Sequence, residues 1–255
     1  MQTSGKLREV WFFGEGKTSA LAFEWLRRSE PEAEFLVCSP QSGRLAEVAR
    51  ESGLPWIDAE APHWSESFRG TPSILISFLM PRHIPQYLLS QSPKGGLNFH
   101  PAPLPFYRGV NCATFAILNN ESLFGVTCHY MTERYDDGPI LASRNVEIGE
   151  DDTALSLETK SKAALLDLFC TVMATYMWEA SPYEVCPHPP KGTLYTTKMF
   201  ERMARVQSLQ GLQLDRHVRA FWNPPRSASF IEKDGKRHFL CPGDEYQFLK
   251  DTERH

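Results

Sequence analysis

The sequence predicts an α/β protein with a mostly parallel, twisted sheet and helices on both faces, plus a small C-terminal region of helix and β-hairpin. Short, continuously apolar segments alternate with helical patterns through the first half, and strands buried on both faces have this continuous apolar character. Near the end, an Asp-Gly pair at 234–235 lies between alternating apolar flanks, which is a hairpin signal. The 255 residues, 42% of them hydrophobic, suffice to bury a full core.

The first half of the chain supplies the parallel part of the sheet, in a Rossmann-like order. Strands are predicted over residues 10–13, 34–39, 73–79 and 96–100, and helices over 19–31 and 43–53. Proline ends the first of these helices, and glycine follows the second, as is typical of helix ends. The alternation therefore predicts parallel strands joined by crossover helices.

Beyond residue 110 the strands become more alternating, which predicts a mixed sheet there. A helix is predicted over 111–120, strands over 125–131 and 140–148, and a long amphipathic helix over 153–178. The proline-rich segment 181–193 then interrupts the pattern. We therefore predict a main domain over 1–190 and a small C-terminal subdomain over 191–255, with a polar helix near 196–208 and a hairpin over 228–240.

Composition excludes several classes of protein. The net charge is -4 and the pI is about 6.1, which disfavours a general nucleic-acid binder or a binder of anionic membranes. No apolar run approaches the ~20 residues of a membrane span, and the N-terminus lacks a signal-peptide pattern, so we expect a cytoplasmic protein. Six cysteines are present without a CxxC pair, which indicates reduced thiols and disfavours a zinc site.

The segment GEGKTS (14–19) resembles two phosphate-binding motifs without fitting either. Trp11 stands where a P-loop needs its first glycine, and Ser19 stands where a dinucleotide fingerprint needs its third glycine or alanine. The segment indicates a tight turn that leads into a helix N-terminus. Such a terminus favours anions, so phosphate binding stays open beside the purely structural interpretation.

Asn98 and His100 are the candidate catalytic side chains on the last predicted parallel strand. Alternation places both on one face, at the carboxyl end of a strand, where open α/β sheets bind ligands. A capped strand end with a satisfied histidine is the alternative. Asp136, in the loop YDDGPIL, adds a carboxylate that can orient an imidazole. An amide, an imidazole and a carboxylate suit acyl transfer, and because no GxSxG nucleophile is present, the nucleophile is expected to come from the substrate.

These residues resemble a known family. NFHPAPLPFYRG (98–109), GVTCHYM (125–131) and DDGPIL (136–141) resemble, in order, the motifs of the formyltransferases that use 10-formyltetrahydrofolate. The resemblance covers about residues 73 to 178. It implies that Asn98, His100 and Asp136 are the catalytic trio and that no metal is needed.

The resemblance also implies binding residues. The stretch SFLMPRHIP (77–85) corresponds to the part whose backbone lines the folate pocket in this family. The implied cofactor-binding residues are Phe78, Met80, Arg82, Ile84 and Asp136. The implied substrate-binding residues are Phe106, Tyr107, Arg108 and Asp137. Phe221 and Trp222 are open to two interpretations, stacking on a nucleotide base or packing within the small subdomain.

Within the family, the motifs and the short tail are most similar to the nucleotide-sugar (4-amino-4,6-dideoxysugar) N-formyltransferases. This implies formylation of a nucleotide-linked amino-deoxysugar with tetrahydrofolate as product, a role in lipopolysaccharide or O-antigen biosynthesis, and a homodimer. The expected partners are these small molecules, with no nucleic acid and no membrane. Alternatives are formylation of glycinamide ribonucleotide or an ornithine-type amine, a hydrolase that releases formate, and a non-catalytic folate- or nucleotide-binding module.

Overall fold

A computed structural model describes residues 7–178, 192–206, 211–243 and 248–249. Its strands are β1 Glu9–Gly14, β2 Glu34–Ser39, β3 Trp56–Asp58, β4 Ile74–Phe78, β5 Gly96–His100, β6 Tyr107–Gly109, β7 Leu123–Tyr130, β8 Ile140–Glu147, β9 Thr193–Tyr195, β10 Phe230–Lys233, β11 Lys236–Leu240 and β12 Phe248–Leu249. Its helices are α1 Gly16–Ser29, α2 Arg44–Glu51, α3 Gln86–Leu89, α4 Cys112–Leu118, α5 Ala154–Trp178, α6 Thr197–Met203 and α7 Gly211–Phe221.

Seven strands form the central sheet in the order β3-β2-β1-β4-β5-β7-β8. The first five strands in this order pair in parallel with one another. β7 runs antiparallel to both β5 and β8. The predicted α/β, mostly parallel sheet with a mixed edge is therefore confirmed.

Alternation along β1 separates the two faces of the sheet. Val10 and Phe12 point into a large core with α1, α2, α4 and α5, where Phe169 of α5 packs edge-on against the Phe12 and Phe99 rings. Trp11 and Phe13 point to the opposite face. That face is covered by shorter elements, namely α3 and a single 3₁₀ turn at Trp64–Ser67. Helices thus lie on both faces of the sheet, with more and longer helices on the face that carries Val10 and Phe12.

The C-terminal part packs back onto the main sheet region. β9 pairs in parallel with β6, and the predicted hairpin is present as β10 and β11 around Asp234 and Gly235. Phe221 is fully buried and stacks on His217, which confirms the packing interpretation for this ring. The sequence did not predict α7, and the predicted boundary at 190/191 lies outside the described residues, so the domain division stays a prediction.

No described helix combines the length and the apolar character that crossing a bilayer requires.

Candidate active site

Strand pairing places three polar side chains on one face at the carboxyl end of β5. Asn98 lies opposite His129 of β7 in the antiparallel register, and His100 follows Asn98 by two residues. Phe99 and Cys128, which pair with each other, are fully buried in the core. The core side chains thus fix which face carries Asn98, His100 and His129.

Asp136 joins these three side chains from the loop between β7 and β8. Its backbone has φ 48°, a left-handed conformation that Asp tolerates better than most residues. The Gly109 backbone N–H donates to Asp136 Oδ2 at 2.8 Å. Asp136 Oδ1 lies 3.4 Å from Asn98 Nδ2 and 3.6 Å from both His100 Nδ1 and His129 Nε2. The structure thus brings the predicted trio together, with His129 as a fourth member.

Backbone carbonyls determine which imidazole nitrogens carry hydrogen. His100 Nε2 lies 2.8 Å from the Tyr107 carbonyl oxygen, and His129 Nδ1 lies 2.8 Å from that of Tyr130. Because a carbonyl only accepts, both nitrogens must donate. The opposite nitrogen of each ring faces the Asp136 carboxylate, so a proton that either ring gains would complete an ion pair with Asp136.

Asp136 is held in its charged form. Burial alone would raise the pKa of this carboxyl, but the electrostatic interaction with His100, the contacts of His129 and the Gly109 N–H outweigh it and lower the pKa well below the usual range. Asp136 thus offers a fixed negative charge to two imidazoles at any pH near neutrality.

A cleft opens beside this cluster, with about 390 Å³ of empty space that includes the open solvent at its mouth. Its lining includes four predicted cofactor-binding residues, Met80, Arg82, Ile84 and Asp136, together with Asn98. Phe78 differs, because its ring is fully buried and packs on Phe99 and Phe169 in the core. Ser77 and His83 also line the cleft, and both lie within the stretch 77–85 that the family resemblance implied. The sequence did not predict the remaining lining residues, which are His129, Met131, Thr132, Arg134 and Tyr135.

The predicted substrate-binding residues occupy different environments. Phe106 is 62% exposed. Tyr107 is buried and its hydroxyl donates to Glu121. Arg108 donates to the Tyr135 carbonyl oxygen at 2.7 Å. Asp137 lies 3.7 Å from Arg108 and 3.6 Å from a second guanidinium, that of Arg134. Arg108 and Asp137 therefore brace the loop that carries Asp136.

His129 is the main functional candidate that sequence reasoning missed. It lies within GVTCHYM, so the motif itself was recognised. Its proximity to Asn98 depends on the register between β5 and β7. The only local signal was a histidine in the middle of an otherwise apolar strand, which is weak evidence when it stands alone.

The GEGKTS segment forms the turn that the structural interpretation predicts. β1 ends at Gly14 and α1 begins at Gly16. A Cβ on Gly14 would lie 1.9 Å from Ser19 Oγ and 2.9 Å from the Phe78 carbonyl oxygen, so only glycine fits there. Phosphate binding at this turn stays a prediction.

Neither a disulfide nor a metal site competes for this assignment among the described residues. Cys38, Cys112, Cys128 and Cys170 are free thiols, and no group of three or more His, Cys, Asp or Glu residues in the described segments is arranged to hold a metal ion. Burial raises the pKa of Cys112, which lies close to the cluster, so this thiol stays protonated.

Residues 71–173 match the family described as Formyl transferase. The chain is 32% identical over 187 residues to the GDP-perosamine N-formyltransferase of Brucella melitensis, covering 70% of this chain and 68% of that protein. A 4-N formyltransferase from Francisella tularensis has a similar fold, with a TM-score of 0.80 at 18% identity over 93% of this chain and 98% of that one.

The N-formyltransferase of Helicobacter canadensis, solved with folinic acid and dTDP-3-aminofucose, superposes with a TM-score of 0.74 at 17% identity, covering 91% of this chain and 86% of that one. These likenesses establish the fold, and the Brucella relative establishes the family. The chain belongs to the formyl transferase family and is a formyltransferase enzyme.

Proposed function

We propose that this enzyme transfers a formyl group from 10-formyltetrahydrofolate to the amino group of a nucleotide-linked amino sugar. The observation that carries the proposal is the Asn98, His100, His129 and Asp136 cluster at the edge of an open cleft. The cluster can move protons and stabilise an oxyanion but contains no nucleophile, so an attacking substrate amine fits it. The GDP-perosamine specificity of the Brucella relative and the ligands in the Helicobacter structure support this choice of substrates.

The cleft suits a folate. Met80, Ile84 and Met131 supply apolar lining, whereas Ser77 and Arg82 add polar groups, a combination that fits a flat heterocycle with polar edges. These residues would hold 10-formyltetrahydrofolate, which when bound supplies an activated formyl carbon. The cation of Arg82 would face the acidic part of that molecule.

Asn98 would stabilise the oxyanion that develops as the amine attacks. One N–H of its amide now reaches His129 Nε2 at 3.0 Å, and its amide nitrogen also lies 3.4 Å from Asp136 Oδ1. If His129 takes up a proton at Nε2, that nitrogen no longer accepts, and the Asn98 N–H becomes available to the oxyanion. A donor of this kind contributes ~3–4 kcal/mol in other enzymes.

His100 and His129 would take the proton that the amine loses and return it to the departing folate nitrogen. Each ring already donates one N–H to a backbone carbonyl, so only the nitrogen that faces Asp136 is free to change its protonation. A proton on either of these nitrogens would face the Asp136 carboxylate, whose Oδ1 atom lies 3.6 Å from each nitrogen. General acid–base groups of this kind contribute ~100- to 10,000-fold in rate.

The test is to incubate the protein with 10-formyltetrahydrofolate and a panel of nucleotide-linked amino sugars, and to search for a product ~28 Da heavier by mass spectrometry. Glycinamide ribonucleotide and ornithine belong in the panel, because a product from either alone would redirect the substrate assignment. Release of formate without any amine would indicate a hydrolase.

The same assay tests the cluster. Asn98→Ala, His100→Asn and Asp136→Asn should each lose at least ~100-fold in kcat, with unchanged circular dichroism. Near wild-type turnover in all three variants would refute the catalytic assignment. Homodimerisation and a cytoplasmic location stay predictions, of which sedimentation analysis tests the first.

A further inference from the structure

Three consecutive residues of β6 each hold one part of the catalytic cluster. The Tyr107 carbonyl accepts the Nε2 hydrogen of His100. The Arg108 guanidinium donates to the carbonyl of the residue before Asp136. The Gly109 N–H donates to the Asp136 carboxylate at 2.8 Å. The position of β6 therefore determines how His100 and Asp136 face each other.

β6 is not part of the central sheet. Among the described residues, its strand partner is β9 of the C-terminal part, with Tyr107, Arg108 and Gly109 opposite residues 193–195 in parallel. The Val110 N–H donates to the Tyr195 carbonyl oxygen at 3.1 Å. A Cβ on Gly109 would lie only 2.1 Å from that same oxygen, so the two backbones are in close contact at the residue that holds Asp136.

The Tyr195 side chain reinforces this contact. Its ring stacks on Tyr107, with centroids 5.4 Å apart and an interplanar angle of 15°, and on Phe115 of α4 at 4.1 Å. The Asn119 amide donates to the Tyr195 hydroxyl at 3.2 Å. Tyr195 is thus held between β6 and α4. Its ring contacts Tyr107, whose backbone carbonyl orients His100.

We propose that Tyr195 is a positioning residue for formyl transfer, acting on His100 through Tyr107 and on Asp136 through Gly109. The proposal rests on the catalytic roles proposed above for His100 and Asp136. Without the ring, Tyr107 of β6 would lose its stacking contact, and its carbonyl would no longer fix one orientation of His100.

Small displacements suffice for a measurable effect. Catalytic groups must stay within about 0.5 Å of their productive geometry, and a misplacement of about 1 Å can cost ~100-fold in rate. Tyr195 lies outside the residues that line the cleft proposed for the folate, so its loss should leave folate binding intact. The expected signature is a lower kcat with an unchanged KM for 10-formyltetrahydrofolate.

The experiment compares Tyr195→Ala with Tyr195→Phe, which keeps the stacked ring, and with Lys198→Ala, an exposed change on the adjacent α6. Tyr195→Ala should lower kcat ~10- to 100-fold with KM for 10-formyltetrahydrofolate within about twofold, whereas the other two variants should stay within about threefold of wild type. If Tyr195→Ala does not fold, Tyr195→Leu, which keeps apolar volume, replaces it in every measurement.

A second readout is ¹⁵N NMR of the histidine side chains, which reports the imidazole tautomers without needing any substrate. At a pH where the imidazole of His100 is neutral, wild type and Tyr195→Phe should show its Nε2–H tautomer alone, whereas Tyr195→Ala should show both tautomers.

Wild-type kcat in Tyr195→Ala, or a reduced kcat with an unchanged His100 spectrum, would overturn the positioning role. If wild-type protein forms no product with any amine, the proposed function fails, and the tautomer comparison still decides whether Tyr195 orients His100.

Discussion

Replacing Asp136 by asparagine should remove most of the catalytic rate while preserving the fold. Asparagine is nearly isosteric and can still accept the Gly109 N–H, so the change removes mainly the negative charge. That charge lies 3.6 Å from His100 Nδ1 and 3.6 Å from His129 Nε2. With an effective dielectric constant of about 20, its attraction to one protonated ring is about 4–5 kcal/mol.

If a ring carries the proton in the transition state, losing this attraction lowers kcat by roughly a thousandfold. The side chain of Asp136 is only 8% exposed, so solvent screens little of it. The assay is formyl transfer under saturating conditions, with KM measured separately. Asp167→Asn is the control, because it removes an exposed carboxylate that pairs with Arg144 rather than with an imidazole. A loss below about tenfold in Asp136→Asn, or an equal loss in both variants, would refute the reasoning.

Three further outcomes follow from the packing and the charges. Phe169→Ala should lower the free energy of unfolding by about 3–5 kcal/mol in urea titrations, because the Phe169 ring is fully buried and packs on Phe99 and other core rings. A decrease of less than about 1.5 kcal/mol, half of the smallest expected loss, would contradict this. Gly109→Ala should cost at least about 2 kcal/mol of stability, measured the same way, since φ is +89° and the Cβ would collide with the Tyr195 carbonyl. The pKa of Asp136 is lowered in the folded state, so its contribution is complete above the unfolded pKa and declines as pH falls from about 4 towards the folded pKa; the stability of wild type relative to Asp136→Asn should therefore be highest near neutral pH, and a constant difference from pH 7 to pH 3 would contradict this.

The strands were predictable where burial dominates. β2 and β5 match the predicted residues 34–39 and 96–100, because both are short apolar runs with turn residues at their ends. β3 was missed because its three residues WID are only partly buried, which is too short a pattern to recognise. α7 was missed although Leu214, Val218 and Phe221 recur at helical spacing.

Of the candidate site, the sequence predicted the residue types and the motifs but not the pairings. Asn98, His100 and Asp136 could be identified from their spacing and from the family resemblance. His129 could not, because its contact with Asn98 depends on register across β5 and β7. The β6–β9 pair joins residues separated by more than eighty positions in the chain, and local pattern carries no information about such a contact.

The pairing of Asn98 with His129 has a consequence for how this sequence can change over time. Phe99 and Cys128 point into the core from the same two strands, so inserting or deleting one residue in either strand would turn the apolar side chains towards the cleft and the polar ones into the interior. A substitution in either strand changes one side chain at a time. An insertion or deletion would disrupt the hydrophobic packing and the catalytic cluster together. Length variation among descendants of this sequence should therefore concentrate in loops, outside β5 and β7.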